Sequence, residues 1–536
     1  LQSQVFPLAP SGLVFPGDPG IPKTLAPTKY NNFGPRLGLA YSPNFSDGIL
    51  GKIFGGPGKS SVRASYGLYY TSIEDLNLFY EVADAPFGLY WTSPLSVMFD
   101  EPFRVRTTGA SLNQRFPFTA PTPGAASNKT LDFSVYEPFN FFPGYNINNK
   151  LPYAEHFNLS IQRELSRNTV LTLAYVGTEG HRLITQNDAN PGSAALCNQL
   201  TAQGAIDVTQ GNTTPGCGPG NENDVFQLPA ATAAGIDCTN NAVKTAQPGC
   251  VYSTRQTILS PNFCPGGAQV CYGSNNTNTL TVANSIYNSA QVSLERKASD
   301  FTFLFAYTFA KGLDDASAFN DLVNFADPAI SRGLSSSDIR HNFVASYVWA
   351  APFDRWFGNA PKRLTQGWQL QGITRFSTGF PIQLNQDTGD ASLSGSSSTD
   401  MPNLIGKVST LNPRDANPSC PTADHTGCYF IPPDPNAVDP CTPTTGAFVQ
   451  NCDIGTFGTA NRRFFHGPGF NNTDFGILKR TTIHEHYAFD VRLEFFNIFN
   501  HTQFQNPGGN ITGSSFGIVT QAQAPRIGQL SAKFYW

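Results

Sequence analysis

The last eight residues read Gln529-Leu530-Ser531-Ala532-Lys533-Phe534-Tyr535-Trp536. In an extended chain Leu530, Ala532, Phe534 and Trp536 fall on one side, with Gln529, Ser531, Lys533 and Tyr535 on the other. A terminal strand of this kind suits an outer-membrane β-barrel, because the apolar side meets lipid and the aromatic end sits at the membrane interface. Just upstream, Tyr487, Phe489, Val491, Leu493 and Phe495 form an unbroken apolar side opposite Asp490, Arg492 and Glu494. The core of a soluble sandwich does not take three successive charges, whereas a water-filled lumen does. Asp490, Arg492 and Glu494 are therefore the lumen-lining candidates, and Leu530, Phe534 and Trp536 mark the terminal membrane-insertion strand.

Composition agrees with this fold class. Only 13% of residues are charged and 12% are aromatic, and the mean hydropathy is -0.24. No stretch reaches the roughly 18 consecutive apolar residues that a transmembrane helix needs, while a barrel strand turns only alternate residues to lipid. The net charge of -4 and the lack of a long Lys/Arg run give no electrostatic case for nucleic acid.

Period-two alternation bounded by turn residues predicts eleven strands, near 33–42, 61–71, 155–165, 169–178, 287–297, 301–310, 340–350, 367–379, 470–480, 486–498 and 527–536. In one of them the faces are mixed: Phe343, Tyr347 and Trp349 point one way and Val344 and Val348 the other, which predicts packing against something inside the barrel. The connections alternate between short (43–60, 166–168, 298–300, 351–366, 481–485) and long (72–154, 179–286, 311–339, 380–469, 499–526). Short periplasmic turns and long outer loops are the asymmetry of such barrels. All ten cysteines lie in two of the long connections. Cys197, Cys217, Cys238, Cys250, Cys264 and Cys271 belong to a Cys-rich loop at 179–286, and Cys420, Cys428, Cys441 and Cys452 to a second at 380–469. Even numbers in Gly/Pro/Asn/Thr-rich sequence without a CxxC pair read as disulfide staples in an oxidising compartment.

An odd strand count is unusual, since single-chain bacterial barrels keep both termini in the periplasm. The expectation is that residues 1–536 are the C-terminal part of a larger barrel, with residues 1–30 the tail of a preceding outer loop. Otherwise one strand is hidden near Phe87–Phe99.

Several segments resemble the Oar-like TonB-dependent receptors. They are Asn32-Phe33-Gly34-Pro35-Arg36-Leu37-Gly38, Tyr66-Gly67-Leu68-Tyr69-Tyr70, Leu159-Ser160-Ile161-Gln162-Arg163-Glu164-Leu165 with Tyr175-Val176-Gly177, Ser337-Asp338-Ile339-Arg340-His341-Asn342-Phe343, Glu494-Phe495-Phe496-Asn497-Ile498-Phe499-Asn500-His501, and Pro525-Arg526-Ile527-Gly528-Gln529. The resemblance implies an all-β, antiparallel barrel of about 22 strands, a bacterial outer-membrane location, insertion by the barrel assembly machinery, and coupling to a TonB complex through a plug and TonB box that this chain does not contain. It implies uptake of an external ligand held by the long loops. A non-transporting adhesion or display barrel is the alternative, and no cofactor and no enzymatic activity are expected.

Other constellations read as structural. Gly58-Lys59-Ser60 lacks the glycine a phosphate loop needs five residues earlier, where Ile53 stands, and it precedes a strand. His484-Glu485-His486 places two imidazoles on one strand face without a third ligand nearby. Asp338, Arg340 and His341 have no nucleophile in a catalytic context and are expected to hydrogen-bond at the outer rim. Asp314, Asp315, Asp321 and Asp327 crowd one outer loop and could offer oxygen ligands to calcium, although their spacing is not that of a known calcium loop.

Overall fold

A computed structural model of the 536-residue chain describes all residues except 1, 23–28, 72–84, 89–99, 110–118, 123, 135, 138, 140–143, 210–215, 241–245, 256–270, 273–276, 319–320, 322–327, 387–390, 394–399, 435, 438, 443 and 485–486. Eleven long strands follow one another in chain order in a single antiparallel sheet: β1 (Arg36–Tyr41), β2 (Ser60–Tyr70), β3 (Tyr153–Ser166), β4 (Thr169–Asp188), β5 (Thr277–Lys297), β6 (Phe301–Asp314), β7 (His341–Ala351), β8 (Trp368–Ser377), β9 (Phe470–His484), β10 (Tyr487–Phe496) and β11 (Ile527–Tyr535). They are the eleven that alternation predicts. Of the hidden-strand stretch only Phe87 and Gly88 are described, outside any strand, and the rest lies outside the described residues.

The register shows why the sheet has two unlike sides. Tyr307 pairs with Phe343, Phe343 with Phe376, and Phe305 with Ala345 and Leu294. Ile477 pairs with Leu493, and Leu493 with Leu530. At the other end Leu39 pairs with Ala64, Ala64 with Leu159, and Leu159 with Tyr175. Directly paired residues share a face, so the apolar side of each strand joins that of its neighbours into one belt. Two glycines in the belt lie beneath cross-strand rings: a Cβ on Gly177 would meet the Phe157 ring at 2.1 Å, and one on Gly372 the Tyr347 hydroxyl at 2.6 Å. The aromatic ring fills the space the missing side chain leaves.

Outward charges stand only near the ends of the belt. Along β3 Glu155 and Arg163 bracket Phe157, Leu159 and Ile161. Eight residues at about 3.4 Å each, tilted by about 40°, give a belt roughly 20 Å tall. At the short-turn end, Phe353 packs on Trp356 and Trp368 at 5.6 and 5.9 Å, and Trp349 meets Trp356 at 5.8 Å. Tyr487, Phe534 and Trp536 stack in sequence there at 6.0 and 6.3 Å.

β4 and β5 depart from the sequence expectation. They continue pairing to Asp188 and Thr277, which carries the hairpin about ten residues further into what reads as loop 179–286. Register shifts on either side of Leu183, and left-handed Arg182 at φ 56°, break the alternation just where it would have revealed the extension.

Among the described residues, most buried apolar side chains lie on the loop side. Ile382, Leu384, Phe430, Phe448, Ile511 and Phe516 form a core shared by 380–469 and 499–526, with Phe516 edge-on to Phe430 and Phe448 at 5.1 and 5.5 Å. Phe6, Leu13 and Phe15 pack with Phe133, Phe139 and Tyr272, so the N-terminal segment sits among the loops. The Tyr272 hydroxyl donates to the Ser11 carbonyl at 3.0 Å, and burial pushes its pKa up.

Candidate functional site

On the side of the sheet opposite the belt, adjacent strands contribute mostly polar groups. β10 presents Asp490, Arg492 and Glu494, which pair with Lys533, Ser531 and Gln529 of β11 and with Arg480, Leu478 and Gly476 of β9. The Arg480 guanidinium lies 3.7 Å from the buried Asp490 carboxylate, and Arg492 lies 3.6 Å from Glu494. Glu494 also accepts from Gln529 at 2.8 Å and Gln371 at 3.4 Å. The three charged residues thus form a laced wall. Leu530, Phe534 and Trp536 are on the belt side and exposed, with Leu530 opposite Leu493 and Phe534 opposite Phe489.

The mixed faces of β7 have a local explanation. Val348 and Val344 share the polar side with Leu304 of β6 and Ile373 of β8, which gives that wall an apolar island. A recess of about 400 Å³ there is bordered by Leu304, Val348, Ile373, Glu295, Asp474 and Glu494. Leu304 and Ile373 are exposed, at 40% and 54%. Single-sequence reading finds the valines but misses the island, because it depends on the register of three strands.

Over this wall the loops build a braced cap. Arg462 is fully buried and ion-pairs with both Asp314 and Asp321, while its Nε donates to the Ser331 carbonyl at 2.6 Å. Arg463 reaches Asp321 at 2.8 Å and the Ser317 hydroxyl at 2.9 Å; Arg332 pairs with Asp315 at 3.1 Å. The acidic cluster is therefore engaged by arginines of the same and the neighbouring loop rather than arranged around a cation. Asp327 lies outside the described residues. Asp338 accepts from the Gly312 amide at 2.5 Å and lies 2.8 Å from the His466 imidazole, which places it in the rim bonding that its position predicts. His341 contacts the Tyr307 hydroxyl at 2.8 Å. Lys59 pairs with Glu164 at 2.7 Å beside a turn. Of the His484 motif, residues 485 and 486 lie outside the described residues. Sequence reading missed the two buried arginines, because nothing local distinguishes Arg462-Arg463 from a solvated pair.

Four disulfides close short loops in the cap: Cys197–Cys217, Cys238–Cys250, Cys420–Cys428 and Cys441–Cys452. Cys271 is also disulfide-bonded, and Cys264 lies outside the described residues. Loops of 8 to 20 residues are each worth about 2–3 kcal/mol in the chain-entropy account. Reduction is therefore expected to open 189–255 and 405–455 to protease while the strands keep their circular dichroism signal. Limited proteolysis with and without reductant reads this directly. Local turns add to the cap: the hydroxyl and amide of Thr426 hold the Asp424 carboxyl below its usual pKa, and the Cys441 amide and Thr442 hydroxyl do the same for Asp439.

The two-faced antiparallel wall with its loop-side cap is matched by the family model described as an outer membrane beta barrel domain, over residues 2–529. The chain belongs to the outer membrane β-barrel domain family. Its belt is accordingly the lipid-facing surface in the outer membrane, and the short-turn and loop sides are periplasmic and extracellular. Among solved structures, this outer-membrane barrel chain is similar to the outer membrane transporter YddB from Escherichia coli at 7% identity, with 89% of this chain and 38% of that one covered and a TM-score of 0.37. It is similar to the siderophore receptor PirA from Acinetobacter baumannii at 8% identity, with 94% and 41% covered and a TM-score of 0.37. The ferripyoverdine receptor of the outer membrane of Pseudomonas aeruginosa matches at 10% identity, with 94% and 32% covered and a TM-score of 0.33. The chain spans about two fifths or less of the length of these structures. No curated protein matches it.

Proposed function

We propose that the chain is part of the barrel of an Oar-like TonB-dependent receptor, which captures an external ligand in its loop cap and passes it along the lumen wall. The observation that carries this reading is the pairing of an internally braced extracellular cap with a polar inner wall that bears an exposed apolar island. A water-filled pore has no use for Leu304, Val348 and Ile373 on its wall, whereas a plug or a ligand packed there would cover them.

The edges of the sheet bear on barrel size. Every residue of β1 and β11 is exposed, and unpaired backbone groups in hydrocarbon cost several kcal/mol each. With eleven antiparallel strands the two edges run in the same direction, so antiparallel closure takes an odd number of further strands. That fits a barrel of about 22 strands and a plug and TonB box supplied by other parts of the protein. Leu530, Phe534 and Trp536 would present the terminal strand to the assembly machinery.

The alternative is a display or adhesion barrel, favoured by how firmly disulfides and buried ion pairs fix the cap. Ligand accumulation by cells with and without a proton-motive-force uncoupler separates the two. Uptake is expected to fall to background with the uncoupler while surface binding persists. Unchanged ligand association that is lost on deleting residues 197–271 would establish display instead.

A further inference from the structure

A cup of about 710 Å³ opens where the outer rim of the lipid belt meets the cap. Its floor is one rung of four neighbouring strands, Tyr307, Phe343, Phe376 and Asn471, each paired directly with the next. The pairing places all four on the lipid-facing side. The floor is ordered: the Phe343 and Phe376 rings lie 6.3 Å apart, and the Tyr307 hydroxyl contacts His341 at 2.8 Å. Above it, Tyr429 and His466 descend from the 380–469 loop. The Tyr429 hydroxyl donates to the His466 carbonyl at 3.0 Å, and buried Asp338 holds the His466 ring.

The floor is therefore aromatic over Tyr307, Phe343 and Phe376 and polar at its Asn471 edge, the upper part is polar, and the cup is continuous with a surface that already faces lipid. We propose that it binds an outer-leaflet glycolipid, with an acyl chain against Phe343 and Phe376 and the sugar against Asn471, Thr378 and His466. Among the described residues no Lys or Arg lines the cup, so a phosphate-centred headgroup finds no fixed cation. Amide, hydroxyl and imidazole groups instead match the donors and acceptors of a saccharide, and aromatic rings suit the C–H faces of a sugar.

The test is to purify the full protein from its native outer membrane in mild detergent and measure retained lipids per chain by mass spectrometry. About one glycolipid should survive washing. Asn471→Trp fills the cup from its floor and should lower retention at least five-fold. Val491→Trp, also in the lipid belt but on the next strand and opposite Lys479, eight residues along β9 from Asn471, should leave it unchanged. A second reading needs no variant: in phospholipid nanodiscs, adding an acylated glucosamine disaccharide should slow amide exchange across 376–379 and 466–471 about ten-fold. Equal retention in Asn471→Trp, phospholipid held in place of glycolipid, or unchanged exchange in the nanodiscs would overturn the proposal.

Discussion

Arg462→Ala is expected to loosen the extracellular cap by about 3–5 kcal/mol, the typical cost of stranding the partners of a buried charge. The side chain is fully buried and engages Asp314 and Asp321 as well as the Ser331 and Asp314 carbonyls. Its loss leaves the Asp314 carboxylate without its ion-pair partner and Asp321 with Arg463 alone, in a site with little access to water. The effect should be local: amides that join the two loops, such as Leu334 to the Arg463 carbonyl, should exchange orders of magnitude faster, while those of β9 and β10 should not change. Desolvation opposes much of what the ion pairs return, so Arg462→Met combined with Asp314→Asn, which leaves Asp321 to Arg463, should recover most of the loss. Hydrogen exchange on the single and double variants checks both statements.

A charge placed on the lipid belt should cost nearly as much, but from the opposite cause. Phe305→Arg and Leu493→Arg put a guanidinium near the middle of the belt, where a lipid-facing Arg costs about 2–4 kcal/mol. Ser531→Glu, one residue from Leu530 but on the inner side, should be close to neutral, because its charge faces water and Arg492 stands directly opposite. Denaturant unfolding in lipid vesicles measures all three. The difference between adjacent residues is the signature of a two-faced strand.

The wall of the barrel was legible in the sequence because lipid on one side and water on the other impose a period of two that side chains record. Tyr487 to Phe495 show it without the neighbouring strands. The β4–β5 extension was not legible, since Thr185 and Thr279 there are buried by the cap and the register shifts interrupt the period. Cysteine placement located the stapled loops, and the structure supplied four pairings that spacing left open. The buried role of Arg462, the apolar island and the lipid-side cup all depend on residues far apart in sequence. They appear only once register brings β6, β7, β8 and β9 side by side.

Which face of the sheet meets lipid is the claim on which the rest stands. The most direct measurement places a nitroxide, through a non-natural amino acid, singly at Phe489, Asp490, Val491, Arg492, Leu493, Glu494 and Phe495 of the full protein in outer-membrane vesicles. Relaxation by dissolved oxygen and by a water-soluble nickel chelate is then compared. Oxygen-dominated relaxation is expected at Phe489, Val491, Leu493 and Phe495, with the nickel chelate favoured at Asp490, Arg492 and Glu494. Uniform accessibility along the strand, or the inverse alternation, would contradict it.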